Sequence, residues 1–126
     1  MIFDTDVLIW CLRGNLRATK VIDSASNPSI SVVSYMELMQ GARDRREVSV
    51  IRSFLKDIGF QILPLAEEIG HRASIYVEEY ALSSGLMLAD ALVASTAVHT
   101  QQTLCSGNAK HFRIVTELEL KVFKPN

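Results

Sequence analysis

The chain has 126 residues, enough for one compact domain with a buried core, and no Pro-, Gly- or Ser-rich stretch divides it, so residues 1–126 read as a single domain. Hydrophobic residues make up 48%, high for a small chain, which points to apolar surface covered by a second subunit or partner. A net charge of −1 excludes broad electrostatic binding of nucleic acid and leaves only a local basic patch for that purpose.

Met1 to Phe3 reads as a short buried strand, and Asp4-Thr5-Asp6 supplies capping side chains for a helix reaching about Leu12. The same two acids interrupt the apolar start, and no basic segment precedes it, which argues against a secretory signal. Gly14 ends this helix, a second covers Leu16 to Ala25, and Asn27-Pro28 forces a turn. Ile30, Val32 and Val33 then read as strand two, and Ser34 begins a helix running to about Gly41. Val48, Ile51, Leu55 and Ile58 recur at helical spacing, with Gly59 as the stop. Phe60 to Leu63 is strand three. Ile69, Ala73, Tyr76, Val77 and Tyr80 mark another amphipathic helix, and the next, from about Met87 to His99, is apolar on nearly every face and so must be central. Thr103 to Cys105 reads as strand four and Leu120 to Phe123 as a final strand. No apolar stretch approaches the roughly 20 residues needed to cross a bilayer. Cys11 and Cys105 lack both disulfide and metal-ligand spacing, as expected of a cytoplasmic protein.

Helices alternating with short apolar strands predict an α/β fold with a central, mostly parallel sheet of four to five short strands and helices on both faces. Such sheets bind ligands beyond the carboxyl ends of their strands. Asp4 follows strand one, Ser34 to Glu37 follows strand two and Ser106 follows strand four, while Asp90 enters from the first turn of the central helix.

Asp4, Glu37 and Asp90 are carboxylates in apolar settings, 33 and 53 residues apart along the chain. A buried carboxylate needs something to offset its desolvation, and a shared divalent cation does so. Each has a plainer reading. Asp4 or Asp6 caps the first helix; Ser34-Tyr35-Met36-Glu37 matches the S-x-x-E capping box, which for Glu37 alone is the stronger reading. Asp90 has no cation on its own helix and needs a partner from elsewhere. His71, His99 and His111 show no zinc-site spacing and read as ordinary packing or surface residues.

Taken in order, Phe3-Asp4-Thr5-Asp6-Val7-Leu8-Ile9, Ser34-Tyr35-Met36-Glu37-Leu38-Met39-Gln40-Gly41-Ala42, Leu88-Ala89-Asp90-Ala91-Leu92-Val93-Ala94 and Ser106-Gly107-Asn108-Ala109-Lys110-His111-Phe112 resemble the successive motifs of the PIN domain, and more closely those of the small VapC-type ribonuclease toxins. The resemblance covers essentially the whole chain. It implies a metal-dependent endoribonuclease in which Asp4, Glu37 and Asp90 hold Mg²⁺, with Mn²⁺ able to substitute. It also implies an RNA substrate, a cognate antitoxin and a homodimer. Asp6 is assigned a capping or supporting role. In the last motif some members carry an acid where this chain has Ser106 and Asn108, so these neutral oxygens are the expected contribution to any second-metal position, and one tight ion is expected before RNA arrives. Arg43, Arg45, Arg46 and Lys110 are candidate RNA-phosphate contacts, although solvated loops and helix ends suffice for any one of them.

Two rival readings differ in their demands. Asp4-Thr5-Asp6-Val7 also resembles the first motif of haloacid-dehalogenase-like phosphatases, which would leave Asp90 without a role. A PIN-like module without catalysis, binding RNA or a partner, would be consistent with the neutral fourth position but would gain stability by replacing its acids.

Overall fold

The structure, a computed structural model, describes all residues, 1–126. Five strands, β1 (Ile2–Phe3), β2 (Ser29–Ser31), β3 (Gln61–Leu63), β4 (Leu104–Ser106) and β5 (Leu120–Val122), form one sheet in the order β3-β2-β1-β4-β5. Every neighbouring pair is parallel. The helices are α1 (Thr5–Leu12), α2 (Leu16–Asp23), α3 (Val32–Gln40), α4 (Arg45–Ile58), α5 (Glu67–Ser84), α6 (Leu88–His99) and α7 (Ala109–Phe112).

Successive strand residues face opposite sides of a sheet. β1 accordingly sends Ile2 into a core shared with Tyr76, Val93 and Phe112, and Phe3 into a second core with Leu8, Ile22 and Leu55; Leu104 and Cys105 of β4 divide in the same way. The sheet is therefore covered on both faces, by α5, α6 and α7 on one and by α1, α2 and α4 on the other. α6 is as central as its composition requires, with every residue from Val93 to Ala97 buried. Its two buried hydroxyls are satisfied by main-chain carbonyls, Ser95 donating to Ile69 and Thr96 to Leu92, each at 2.7 Å. No helix is long and apolar enough to cross a membrane.

The largest departure from the sequence reading lies at the end of β2. The expected strand through Val32 and Val33 stops at Ser31, and α3 begins at Val32. The β-branched pair favours strand locally, but the Ser31 hydroxyl accepts the Val33 N–H at 3.1 Å, which closes the helix start three residues earlier than Ser34. Ser34 is consequently inside the helix, fully buried, with no partner for its hydroxyl. The capping box read at Ser34 and Glu37 does not form. α7 was not expected, because four residues carry no periodicity. The second helix ends at Asp23 rather than Ala25, and β4 runs one residue later than expected, to Ser106.

Chain order reverses at β1. β2 and β3 extend the sheet to one side and β4 and β5 to the other, so the switch point lies between the ends of β1 and β4. Asp4 follows one of these strands and Ser106 ends the other.

Candidate active site

The cleft at the switch point has a volume of about 490 Å³ and is lined by Asp4, Thr5, Asp6, Ile9, Glu37, Ala89, Asp90, Val93, Gly107 and Asn108. All three predicted acids reach it, together with Asp6, and none of the lining residues is Lys or Arg. They arrive from the N-terminal end of α1, from α3 and from the first turn of α6.

Asp4 is both the N-cap of α1 and the most buried acid. Its Oδ1 accepts the Thr5 N–H at 2.9 Å and its Oδ2 accepts the Ser106 hydroxyl at 2.8 Å. The capping reading of Asp4 holds, and the same carboxylate lines the cleft. Burial first, and the neighbouring Asp6 charge second, push its carboxyl up to about 6 despite those two donors, with Asp90 adding to the rise. Asp6 is raised for the same leading reason, burial, and is held by the Gly107 N–H at 2.9 Å on Oδ2. Its Oδ1 is buried without any partner. Gly107 is required by close approach, since a Cβ there would stand 2.7 Å from Asp6 Oδ2 and 3.3 Å from the Phe123 carbonyl oxygen.

Glu37 lies in the second turn of α3, too far along to cap it, and instead accepts the Thr5 hydroxyl at 2.6 Å. Asp90 accepts the Met87 N–H at 3.2 Å, satisfying an amide at the start of α6, and meets His111 Nδ1 at 3.1 Å. The partner that Asp90 lacks on its own helix is therefore His111 of α7, against the plain reading given to that histidine. Nδ1 also lies 3.0 Å from the Asn108 side-chain amide. One ring nitrogen cannot donate to Asp90 and accept from Asn108 together. With the proton on Nδ1 and directed to Asp90, Asn108 must present its amide oxygen.

Ser106 is a buried donor to Asp4 that also accepts the Asn108 N–H at 3.0 Å, so its hydroxyl is already committed rather than open for a second metal. Thr5, Gly107 and His111 are the residues that sequence reasoning passed over. All three lie inside the four motifs, but none was given a site role; for His111 the available signal was its place three positions after Asn108, on the same side of one helical turn.

The expectation that Asp4, Glu37 and Asp90 meet at shared ligand distance is met only in part: they share a cleft, but no three His, Cys, Asp or Glu side chains stand close enough to hold one ion. Each acid has a separate partner: Ser106 for Asp4, Thr5 for Glu37 and His111 for Asp90. The donor chemistry nevertheless fits a hard divalent cation: oxygens only, the unpartnered Asp6 Oδ1, and an Asp4 whose charge no cation of the protein offsets.

Beside the cleft, and sharing Ile9 and Glu37 with it, runs a wider groove of about 900 Å³ between α1, α3 and α4. Its floor includes Leu12, Leu38, Val50 and Ile51, and its rim Arg13, Arg43 and Arg46 opposite Asp44 and Glu47. Arg43 is paired with Glu47 at 2.9 Å; Arg45 and Lys110 are exposed and line neither space.

A family model described as PIN domain matches residues 1–117. No curated protein matches the chain. Among solved structures, a toxin–antitoxin complex from Klebsiella pneumoniae contains a chain 27% identical, with TM-score 0.80 and coverage of 99% of this chain and 97% of that one. FitAcB from Neisseria gonorrhoeae is similar at 24% identity and TM-score 0.73, covering 98% and 96%. DNA-bound VapBC from Salmonella typhimurium is similar at 17% identity and TM-score 0.83, covering 96% of each chain. The latter two likenesses carry the fold alone. The phosphatase reading is set aside by the family match.

Proposed function

Because this chain belongs to the PIN-domain family, we propose that it is a divalent-metal-dependent endoribonuclease, acting as the VapC-type toxin of a toxin–antitoxin pair. The observation that carries the reading is the cleft itself, where four acids from three separate segments of the chain gather at the switch point of a parallel sheet and no lysine or arginine lines the space between them. A non-catalytic module would be more stable without Asp4 ionised in that place.

Asp4, Glu37 and Asp90 would hold the cation, Mg²⁺ or in its place Mn²⁺, with Asp6 adding negative potential behind them. When bound, it supplies an activated water, stabilisation of the charge growing on the phosphate and orientation of the leaving oxygen. The protein's part is positional. The Ser106 hydroxyl fixes one oxygen of Asp4, the Thr5 hydroxyl fixes Glu37, and His111 fixes Asp90. These donors orient the carboxylates toward the cleft, and a shared ion would have to draw the three closer together.

Purified protein should cleave single-stranded RNA in Mg²⁺ or Mn²⁺, and chelation should stop it reversibly. Asp4→Asn should keep the fold, seen by circular dichroism, and lower cleavage by about 10³-fold, the loss expected when several kcal/mol of metal-derived stabilisation disappears. Wild-type cleavage by that variant would overturn the assignment. The protein partner in this reading is a cognate antitoxin, since the similar chain from Klebsiella pneumoniae belongs to a toxin–antitoxin complex; on this chain an Arg or Lys of the antitoxin would enter the acidic cleft. Expression of the chain alone should arrest bacterial growth, and the antitoxin should relieve it.

A further inference from the structure

We propose that the groove between α2 and the edge strand β5 is where the phosphodiester backbone of the RNA is received as it leaves the acidic cleft. This deepens the nuclease reading and rests on it. The groove, about 330 Å³, takes four of the chain's 13 cationic side chains, Arg17, Lys20, Lys121 and Lys124, and no Asp or Glu lines it.

The arrangement follows from local structure. Arg17, Lys20 and Ser24 recur at intervals of three and four along α2 and its C-cap, so they share one face. Lys121 stands on β5 opposite Cys105 in register, and Phe123 packs in the core on the α1–α2 side of the sheet. The groove therefore opens on that side, where the sheet edge projects beside α2. All four cations are exposed, and none forms an ion pair. The wider groove beside Glu37 differs, because there three arginines face Glu37, Asp44 and Glu47 and Arg43 is already paired. In a protein of net charge −1, the α2–β5 groove is a concave surface of unmixed positive sign.

The groove and the cleft meet at one strip of backbone. Phe123, in the groove wall, donates its N–H to the Ser106 carbonyl at 2.8 Å. Its own carbonyl oxygen would lie 3.3 Å from a Cβ on Gly107, a residue of the cleft wall. A strand cut at the acids and crossing Gly107 would meet Phe123, which shares the groove lining with Lys20, Lys121 and Lys124. Four acids repel a polyanion, so productive binding needs positive charge close to the scissile bond but outside the metal site. Three of the four cations are lysines, point charges on flexible stems, which suit sequence-independent phosphate contact. An acidic protein segment is the competing occupant; the junction with a cleft suited to phosphate chemistry favours RNA.

The test is K20Q/K121Q, two exposed positions, against R52Q/K56Q, a variant of equal charge change on α4. Affinity for single-stranded RNA is read by fluorescence anisotropy with chelator present, from about 50 to 200 mM salt, the range over which lost phosphate contacts show as a lost slope. K20Q/K121Q should bind about tenfold more weakly, with the log–log salt slope smaller by about 1.4, or 0.7 per lost contact. In Mg²⁺ its KM for long RNA should rise while kcat holds, and R52Q/K56Q should match the wild type. Unchanged affinity and slope in K20Q/K121Q while the wild type cleaves RNA would overturn the groove assignment alone. Equal losses in both variants would also overturn it, by reducing the effect to net charge. So would loss of polyglutamate binding with RNA affinity intact, which would assign the groove to an acidic protein. A wild type that neither binds nor cleaves RNA would instead sink the nuclease reading itself.

Discussion

Asp4 serves two demands that conflict energetically. As N-cap it stabilises α1, yet as a buried acid beside Asp6 its carboxyl is pushed up to about 6 from an ordinary 3.8. The folded chain thus keeps a proton that the unfolded chain releases. The associated stability is fully present below pH 3.8, is lost as pH rises to about 6, and above that the ionised group costs about 3 kcal/mol. Asp4→Asn keeps an acceptor for Ser106 and removes the charge. In chelator, it should therefore raise stability above pH 6 by about 1–3 kcal/mol, with the gain vanishing below pH 4. Urea unfolding at the two pH values checks this; a difference independent of pH would contradict it. At this scale the sequence shows Asp4, Glu37 and Asp90 clearly, because ionised groups in apolar segments stand out. It hides Thr5 and His111, whose bonds to Glu37 and Asp90 span 32 and 21 residues and depend on tertiary approach.

The start of α3 decides what Glu37 can do. Had the helix begun at Ser34, Glu37 would reach back to cap it; beginning after Ser31, it leaves that carboxylate free to face Thr5. The two serines should then respond oppositely to truncation. Ser31→Ala removes the cap and should cost about 1 kcal/mol. Ser34→Ala removes a buried hydroxyl with no partner and should be within about 0.5 kcal/mol of neutral or stabilising. Denaturant midpoints decide between these assignments, and a larger loss at Ser34 would reinstate it as the cap. The nearly complete set of helices and strands was legible from periodicity and from Gly59 and the other stops. The β2–α3 boundary was not, because Val32 and Val33 satisfy strand preference locally while the cap that overrides them is a single hydroxyl.

The alternation of helices with short apolar strands predicts a parallel sheet but not its order, since nothing local specifies that β4 inserts beside β1. Nor did it locate the uncovered apolar surface. Leu82, Met87 and Leu88 are exposed within seven residues around the α5–α6 junction, Leu82 completely. We propose that the chain forms a homodimer through this patch, which would cover part of its exposed apolar surface. Light scattering should give a dimer at micromolar concentration and a monomer for Leu82→Lys; a monomeric wild type would refute it.

The two-residue β1 is paired on one side with β4, Ile2 lying opposite Leu104, and the Ser106 hydroxyl that orients Asp4 follows 102 residues after it. On a ribosome the first acid of the cleft emerges long before the strand that buries and aligns it. Closure of so long a loop comes late and depends on the rest of the sheet. As the proposed nuclease, the chain would lack an assembled cleft through most of its own synthesis, and RNA near the ribosome producing it would be spared until the domain is nearly finished.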